Sequence, residues 1–440
     1  MVPKFVVELE LTKLVDSPGV EGRFGGVYAL VTFKGVPLCV FDLPCTPATR
    51  MISAETLRKE AVRRSAPMLW QKAIERSFAK SPHSCFPPLS VVVCTRDRAR
   101  LLEHCLKSLR GLDYPQYEVV VVDNGSRDPR VAEVIGRSGF RNIRENRIGL
   151  NWARNRGAEE ARHDIICYID DDSMASAGWL RAIASRFEDQ TAMAVTGLVL
   201  PRELDTEAQL LFERYGGMGK GMIPRSFSLA TLPEAGIVAV HNFGVGTNMS
   251  FRREVFDRVG GFDTMLDVGT PSMGAGDLDM FHRVVAAGMT LQYEPSALVW
   301  HRHRRSHASL RQQIYANGRS YGVYLIMRWR ADRKLRTARS AVRWMGGWVM
   351  RRFVSCLIGR EDFPLDLRWA ELQGALSAPW AYLATMRSDN RIRQEHGSMN
   401  VRRDPPEGLA DAPIPQPSRE ELRSCGDRCG VDEVIESERR

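Results

Sequence analysis

Residues 89–170 alternate between short apolar runs and helical stretches, and this alternation limits the possible folds more than any other feature of the chain. Three of the runs are almost wholly apolar: LSVVVC (89–94), EVVVV (118–122) and DIICYI (164–169). Such runs are typical of strands that are buried on both faces of a parallel sheet. Because helical patterns separate them, we predict an α/β fold with a mostly parallel sheet flanked by helices.

The patterning on either side predicts further segments. The N-terminal region has alternating strands followed by a helical pattern at 54–79, and prolines then interrupt regular structure. Around residues 200–240 the pattern dissolves into glycine, methionine and serine, which predicts an irregular loop near a site. The predicted segments are a small N-terminal α+β module (1–80), a linker (81–88), an α/β domain (89–305), a C-terminal basic amphipathic helical region (306–386) and a disordered tail (387–440).

Acidic residues follow each of the three buried strands. Asp97 and Asp123 come after the first two, and Asp170, Asp171 and Asp172 come after the third. Ligands of such sheets bind beyond the carboxyl ends of the strands, so these side chains are candidates for a site. A single aspartate there is often only a helix cap, but three adjacent carboxylates repel one another unless a cation is bound. Oxygen ligands suit Mg²⁺ or Mn²⁺, and these ions in turn suit a diphosphate partner.

Six motifs between residues 89 and 303 together resemble a family 2 glycosyltransferase of the Rossmann-like GT-A fold, in their order and in their spacing. The resemblance covers about half of the chain. It implies a domain that uses a nucleotide diphosphate sugar as its donor. The motifs are LSVVVCTRDR (89–98), VVVVDNGSRD (119–128), GLNWARNRG (149–157), YIDDDS (168–173), GTNMSFRREVFDRVGGFD (246–263) and GAGDLDMFHRV (274–284).

The resemblance also implies roles for individual residues. Asp277 matches the second residue of the family's Glu-Asp pair and is the expected general base, although Gly276 stands where the glutamate is usually found. Asp279 is a competing acid on the same segment. The expected metal ligands are Asp172, Asp170 and His301. The residues expected to bind substrate are Thr95, Arg96, Asp97, Asp123, Arg154, Asp170, Asp171 and Asp279.

The chemistry implied by the resemblance is transfer of the sugar to an acceptor hydroxyl with inversion. A Mg²⁺ or Mn²⁺ cofactor would stabilise the leaving diphosphate as a Lewis acid. One aspartate would remove the proton of the hydroxyl as its oxygen attacks the anomeric carbon. The expected acceptor is a bacterial-type glycan or a lipid-linked glycan, built at the inner face of a membrane.

A strongly basic segment follows the motifs. Residues 301–360 contain fifteen Lys and Arg and a single acid, Asp332, so this segment alone exceeds the net charge of +9 of the whole chain. A solvated helix face would carry a more balanced charge. No nucleic-acid-binding module accompanies the segment, so no nucleic acid is expected. Interleaved tryptophans (Trp329, Trp344 and Trp348) favour association with an anionic membrane surface.

The sequence also predicts where the protein is located. No secretory signal or apolar window of spanning length is recognisable, and nine scattered cysteines are typical of a reducing compartment. We therefore expect a cytoplasmic protein, with peripheral association at the inner membrane face as a further option.

Two other functions were considered against the glycosyltransferase. A nucleotidyltransferase on a related fold is the rival enzyme, but its glycine-rich opening loop is missing. The rival from another class is a non-catalytic scaffold subunit that binds nucleotide sugars, which Gly276 alone favours.

Overall fold

The N-terminal module is a three-stranded sheet covered by one helix. Strand β1 (Lys4–Glu10) pairs parallel with β2 (Gly26–Phe33), which pairs antiparallel with β3 (Val36–Pro44), and α1 (Ala54–Phe78) packs on them. Lys34 and Gly35 form the turn between β2 and β3, and both residues adopt positive φ there. In this computed structural model the described residues are 2–16, 19, 23–45, 51–78, 86–232, 236–333 and 335–396.

A nine-stranded sheet forms the centre of the described part of the chain, in the order β10-β12-β9-β11-β7-β4-β5-β6, with β8 paired to β12. Six of its strands run in one direction, while β8, β10 and β11 run the opposite way. The strands are β4 (Leu89–Thr95), β5 (Tyr117–Asp123), β6 (Arg141–Arg144), β7 (Ile165–Asp170), β8 (Ser173–Ala175), β9 (Ala192–Pro201), β10 (Arg225–Phe227), β11 (Asn248–Arg252) and β12 (Thr290–His301).

Helices cover both faces of this sheet, so the continuous apolar strands divide their side chains between two cores. Val91 and Val93 of β4 face one core, while Val92 faces the other, as the two-residue repeat of a strand requires. Gly157 lets the backbone of its helix approach Val92, because a Cβ there would overlap the valine. The helices are α2 (Ala99–Arg110), α3 (Pro129–Ser138), α4 (Leu150–Glu160), α5 (Trp179–Phe187), α6 (Glu207–Tyr215), α7 (Arg253–Val259) and α8 (Gly276–Ala286).

The region around residues 200–240 contains more regular structure than the sequence predicted. It includes α6 and β10, whereas we expected an irregular loop. Helix α6 begins with a capping box, in which the Thr206 hydroxyl accepts the Gln209 backbone N–H and the Gln209 side chain binds back to the Thr206 backbone. This local signal outweighs the glycines that follow the helix.

The N-terminal module packs directly on the central sheet. The Lys4 N–H donates to the Leu204 carbonyl at 2.9 Å, just beyond the end of β9. Leu30 of β2 joins an apolar cluster with Leu198 and Leu298 of β9 and β12. The module therefore shares buried surface with the domain that contains the motifs.

The C-terminal region is helical, as predicted. Helices α9 and α12 lie side by side and approach closely at Gly318 and Gly374, where a Cβ would overlap the backbone of the other helix. No helix within the described ranges combines the length and the hydropathy needed to cross a bilayer. The elements are α9 (His307–Asp332), α10 (Leu335–Arg343), a π-helical stretch (Trp344–Met350), α11 (Arg351–Leu357) and α12 (Leu365–His396).

The predicted fold class is confirmed: a largely parallel sheet flanked by helices, a small N-terminal α+β module and a C-terminal helical region. One boundary differs, because α12 continues to His396, beyond the predicted start of the tail at 387. Residues 387–396 contain neither proline nor glycine, so nothing in their sequence stops the helix. Residues 81–85 of the predicted linker and 397–440 of the predicted tail lie outside the described residues.

Candidate functional site

The candidate site lies along one edge of the central sheet. The pairing register places Thr95 opposite Asp123 at the carboxyl ends of β4 and β5, and Cys94 opposite Asp170 at the end of β7. Strand β11 runs the other way, so the residues that precede it, Gly246 and Thr247, come to the same edge. Topology therefore brings together segments that are up to about 150 positions apart in the sequence.

Asp171 is turned into the protein. Its carboxylate accepts hydrogen bonds from the Thr95 hydroxyl at 2.7 Å and from the Arg98 guanidinium at 3.0 Å. Burial raises the pKa of Asp171 to about 6, against the lowering effect of Arg98. These contacts fix the loop after β7 against the loop after β4.

Asp172 points along the edge of the sheet. Arg98 donates to one of its oxygens at 3.2 Å, and Nε2 of His301 lies 3.4 Å from the other. Because β8 pairs antiparallel with β12 and sets His301 opposite Ser173, the histidine comes to lie beside Asp172.

Asp170 faces the opposite side of the loop. The Thr247 hydroxyl donates to its carboxylate at 2.6 Å, and the Arg154 guanidinium lies 3.6 Å away. The side chain of Asp170 is 31% exposed, whereas those of Asp171 and Asp172 are 5% and 8% exposed. Asp170 is therefore the most accessible carboxylate of the three.

Asp277 and Arg154 meet at a glycine. The Gly246 N–H donates to the Asp277 carboxylate at 2.8 Å, and the Gly246 carbonyl lies 3.5 Å from the Arg154 guanidinium. A Cβ on Gly246 would lie 2.8 Å from Asp277 Oδ2 and 3.0 Å from Arg154 Nη2, so a larger residue would separate the two groups. Since Thr247 binds Asp170, two consecutive residues connect Asp170 with Asp277.

The predicted nucleotide-side residues tie neighbouring loops together. Asp123 is buried, accepts the Ser126 N–H at 2.9 Å and pairs with the Arg144 guanidinium. Asp97 has a φ of 55° and accepts the backbone N–H groups of residues 127 and 128, which lower its pKa. Arg96 lies beside Asp97, with 41% of its side chain exposed.

Gly276 is enclosed rather than open. A Cβ at this position would overlap the Asn151 side-chain amide and lie 2.8 Å from the Leu266 carbonyl oxygen. The Asn151 amide itself donates to the carbonyls of Asp263 and Leu266. The volume that a side chain at 276 would need is therefore filled by Asn151.

Asp279 is not brought to the sheet edge. It is 1% exposed and pairs inside the protein with Arg283 at 2.7 Å and with Arg328 at 3.1 Å. These contacts join α8 to α9. They are the contacts of a structural acid.

Asp172 and His301 provide a partial cation site. Within the described residues, no group of three or more His, Cys, Asp or Glu side chains is arranged to hold a metal ion. Mg²⁺ and similar ions in phosphate-transfer sites, however, are held by one or two side chains and complete their shell with phosphate oxygens and water. One carboxylate oxygen and one imidazole nitrogen 3.4 Å apart fit that arrangement.

Several residues of this edge were not predicted as site residues. Arg98 and Thr247 both lie inside the motifs given above. The signal that identifies them is their position: each has a cationic or hydroxyl side chain next to a strand end, facing the three acids. Glu213 lies on α6, in the region predicted as a loop, and it contacts His303 at 2.8 Å. Lys220 follows the same helix; burial lowers its pKa, while the negative charge of Asp277 acts in the opposite direction.

Known proteins resemble this chain over the same region. Residues 90–260 match the model of the family described as glycosyl transferase family 2. The chain is 30% identical over 220 residues to a pre-mycofactocin glycosyltransferase of Mycobacterium tuberculosis, a match that covers 49% of this chain and 43% of the relative. It is 30% identical over 183 residues to a glucosyl-dolichyl phosphate glucuronosyltransferase of Haloferax volcanii, covering 40% and 56%.

The chain spans about half the length of these curated relatives. Among solved structures, a mannosyltransferase from Pyrobaculum calidifontis in complex with GDP-Man and Mn²⁺ matches with a TM-score of 0.41 and 19% identity, over 78% of this chain and 86% of that one.

Proposed function

We propose that this chain, of which residues 90–260 match glycosyl transferase family 2, transfers a sugar from a nucleotide diphosphate sugar to an acceptor hydroxyl with inversion. The observation that supports the proposal is the link between Asp277, the expected base, and Asp170 on the expected donor side. Gly246 contacts Asp277, and the next residue, Thr247, contacts Asp170. A base and a donor site must lie next to each other for an in-line displacement.

Asp277 acts as the general base. Its carboxylate is oriented by the backbone N–H groups of Gly246 at 2.8 Å and of Leu278 at 2.9 Å. It takes the proton of the acceptor hydroxyl while that oxygen forms a bond to the anomeric carbon and the bond to the diphosphate oxygen breaks. One base opposite the leaving group gives a single displacement, which inverts the anomeric centre.

The donor side uses the remaining carboxylates. Asp172 and His301 would hold a Mg²⁺ or Mn²⁺ ion, which supplies Lewis-acid stabilisation of the diphosphate when it is bound. Asp170, the most exposed of the three, faces the sugar with Arg154 beside it. Asp123 and the loop fixed by Asp97 bind the nucleoside, and Thr95 acts indirectly by holding Asp171.

The titration of nucleotide diphosphates into the full chain tests this proposal. UDP, GDP and dTDP are titrated with and without Mn²⁺, and Asp172→Ala is compared with Asp164→Ala, whose side chain is 95% exposed. We expect one nucleotide to bind more tightly with Mn²⁺, and this gain to be lost only in Asp172→Ala. Absence of binding in a folded sample would contradict the proposal, and binding without sugar transfer would favour the non-catalytic scaffold.

We also propose that the acceptor is lipid-linked and that the C-terminal helices contact an anionic membrane. Helix α12 exposes an apolar stripe at helical spacing, in which Trp380 is 70% and Leu383 is 52% exposed. The basic segment 301–360 supplies the complementary charge, and a basic helical region with exposed tryptophans suits an anionic interface. The stripe consists of Leu365, Trp369, Leu376, Trp380 and Leu383.

Flotation with liposomes tests the membrane contact. The full chain should float with vesicles that contain phosphatidylglycerol, and far less with phosphatidylcholine alone. Trp380→Ser should weaken vesicle binding about 30-fold, because burial of an aromatic side chain contributes about 2 kcal/mol. Trp70→Ser is the matched control, since Trp70 is 71% exposed but lies on α1. Equal loss in both variants would refute this surface.

A further inference from the structure

A line of polar contacts leads from Asp172 away from the sheet edge and ends in the N-terminal module. Nε2 of His301 faces Asp172, and Nδ1 of His301 lies 2.9 Å from Nδ1 of His303. Nε2 of His303 lies 2.8 Å from the Glu213 carboxylate, and Tyr28 of β2 hydrogen-bonds to Glu213. The line thus connects β12, α6 and β2.

The contact between the two Nδ1 atoms restricts the positions of the protons. A neutral imidazole carries one N–H, so one Nδ1 donates and the other accepts. The Glu213 carboxylate only accepts, so His303 carries its proton on Nε2 and accepts at Nδ1. His301 then carries its proton on Nδ1, and its Nε2 presents a lone pair toward Asp172.

Packing holds Glu213 and His303 in these positions. The Phe212 ring contacts the His303 ring edge-on, with centroids 4.7 Å apart, and the His303 side chain is 1% exposed. Gly217 leaves room for the carboxylate, because a Cβ there would lie 2.7 Å from Glu213 Oε1. Tyr28 is half-buried, and both desolvation and Glu213 raise its pKa, so its hydroxyl stays protonated as a donor.

We infer that Glu213, acting through His303, is a positioning residue that sets the tautomer of His301, and that Tyr28 of the N-terminal module holds Glu213 for this task. The inference rests on the proposed function, because the His301 lone pair is useful only if a cation binds beside Asp172. A carboxylate behind a ligating histidine normally fixes the ring and raises its basicity. Here the effect is relayed through a second imidazole.

Metal selectivity in the full chain carrying Glu213→Gln tests the inference. Glutamine keeps the size of the side chain but can both donate and accept, so it removes the preference for one His301 tautomer. Imidazole binds Co²⁺ better than Mg²⁺, which prefers oxygen. We expect the Kd for Co²⁺ alone to rise about tenfold, at the lower end of the range for residues that support a metal ligand, and the Kd for Mg²⁺ to change less than about twofold.

Tyr28→Phe should shift Co²⁺ binding in the same direction by a smaller factor, since it removes only one hydroxyl. Tyr117→Phe is its control, because that hydroxyl donates to the Leu109 carbonyl instead. Equal weakening of Co²⁺ and Mg²⁺, or no change in either, would overturn the relay while the proposed function stands. If the unmodified chain binds neither ion, the relay and the metal-assisted function both fail. Thermal unfolding of each variant distinguishes a loss of fold from a loss of selectivity.

Discussion

Aspartates pair with arginine at two places in this protein, the sheet edge and the interior between α8 and α9, and the two places differ in the balance of charge. At the sheet edge, three carboxylates (Asp170, Asp171 and Asp172) meet two guanidiniums, from Arg98 and Arg154. In the interior, the single carboxylate of Asp279 meets two.

A buried acid with excess positive charge around it has its charge satisfied by the protein itself. A group of acids with too few cations leaves room for an ion from solution. The balance of charge, rather than burial alone, therefore distinguishes the candidate site from the structural cluster. Helix α8 contains both kinds of residue, since Asp277 faces the sheet edge and Asp279 faces the interior.

The largest effect is expected from Asp277→Asn. The variant keeps the size of the side chain and removes the base, so kcat for sugar transfer should fall about 10²- to 10⁴-fold. Nucleotide binding should stay the same, because Asp277 is not among the groups proposed to bind the donor. The unfolding temperature should change little, because the asparagine carbonyl can still accept the Gly246 N–H. Initial rates and a nucleotide titration on the same preparation make the comparison. An unchanged kcat would remove Asp277 from the role of base.

Asp279→Asn should act on stability instead. Removing the charge leaves Arg283 and Arg328 buried without their partner, which costs about 3–5 kcal/mol in the free energy of unfolding. Burial would raise the pKa of Asp279, but the two arginines outweigh it and lower this pKa. The stabilisation is therefore present at neutral pH and is lost as the pH falls below the ordinary aspartate range toward the lowered pKa.

Urea unfolding at pH 7 and at acidic pH measures both parts of that prediction. Asp164→Asn is the control, since its side chain is 95% exposed. The difference between Asp279→Asn and the unmodified protein should be large at pH 7 and should shrink in acid. A loss of turnover without a loss of stability would instead place Asp279 with the functional acids.

A smaller effect is expected from Gly276→Ala, which tests whether the space around residue 276 at the start of α8 is filled. The methyl group would displace the Asn151 amide, so stability should fall by about 1–3 kcal/mol. Gly136→Ala in α3 is the matched control. Nothing lies near a Cβ there, and the change should stabilise the protein by about 0.5–1 kcal/mol. Equal effects of the two substitutions would show that position 276 is open after all.

The strands and the acids that follow them were predictable because both signals are local. An apolar run followed by a polar turn predicts β4, β5 and β7, and the sheet then brings Thr95, Asp123 and Asp170 together. The different orientations of Asp277 and Asp279 could also have been predicted from the sequence. Residues two apart on a helix point about 200° apart, so both cannot face one site.

The support of His301 could not be predicted in the same way. Glu213 and His303 are 90 positions apart, and Tyr28 lies on a strand of a separate sheet. No periodicity connects such residues, because the contact depends on how three elements pack. The enclosure of Gly276 likewise depends on Asn151, which is far away in the sequence.

The packing of the N-terminal module has a practical consequence for protein engineering. A fragment trimmed to the family match at 90–260 would lose His301 and His303 at one end and β2 at the other. It would also uncover Leu198 on β9, which Leu30 now shields from water. Expression trials should therefore start from fragments that keep β1 through α12, since the shorter fragment would expose apolar surface and lack His301, His303 and Tyr28.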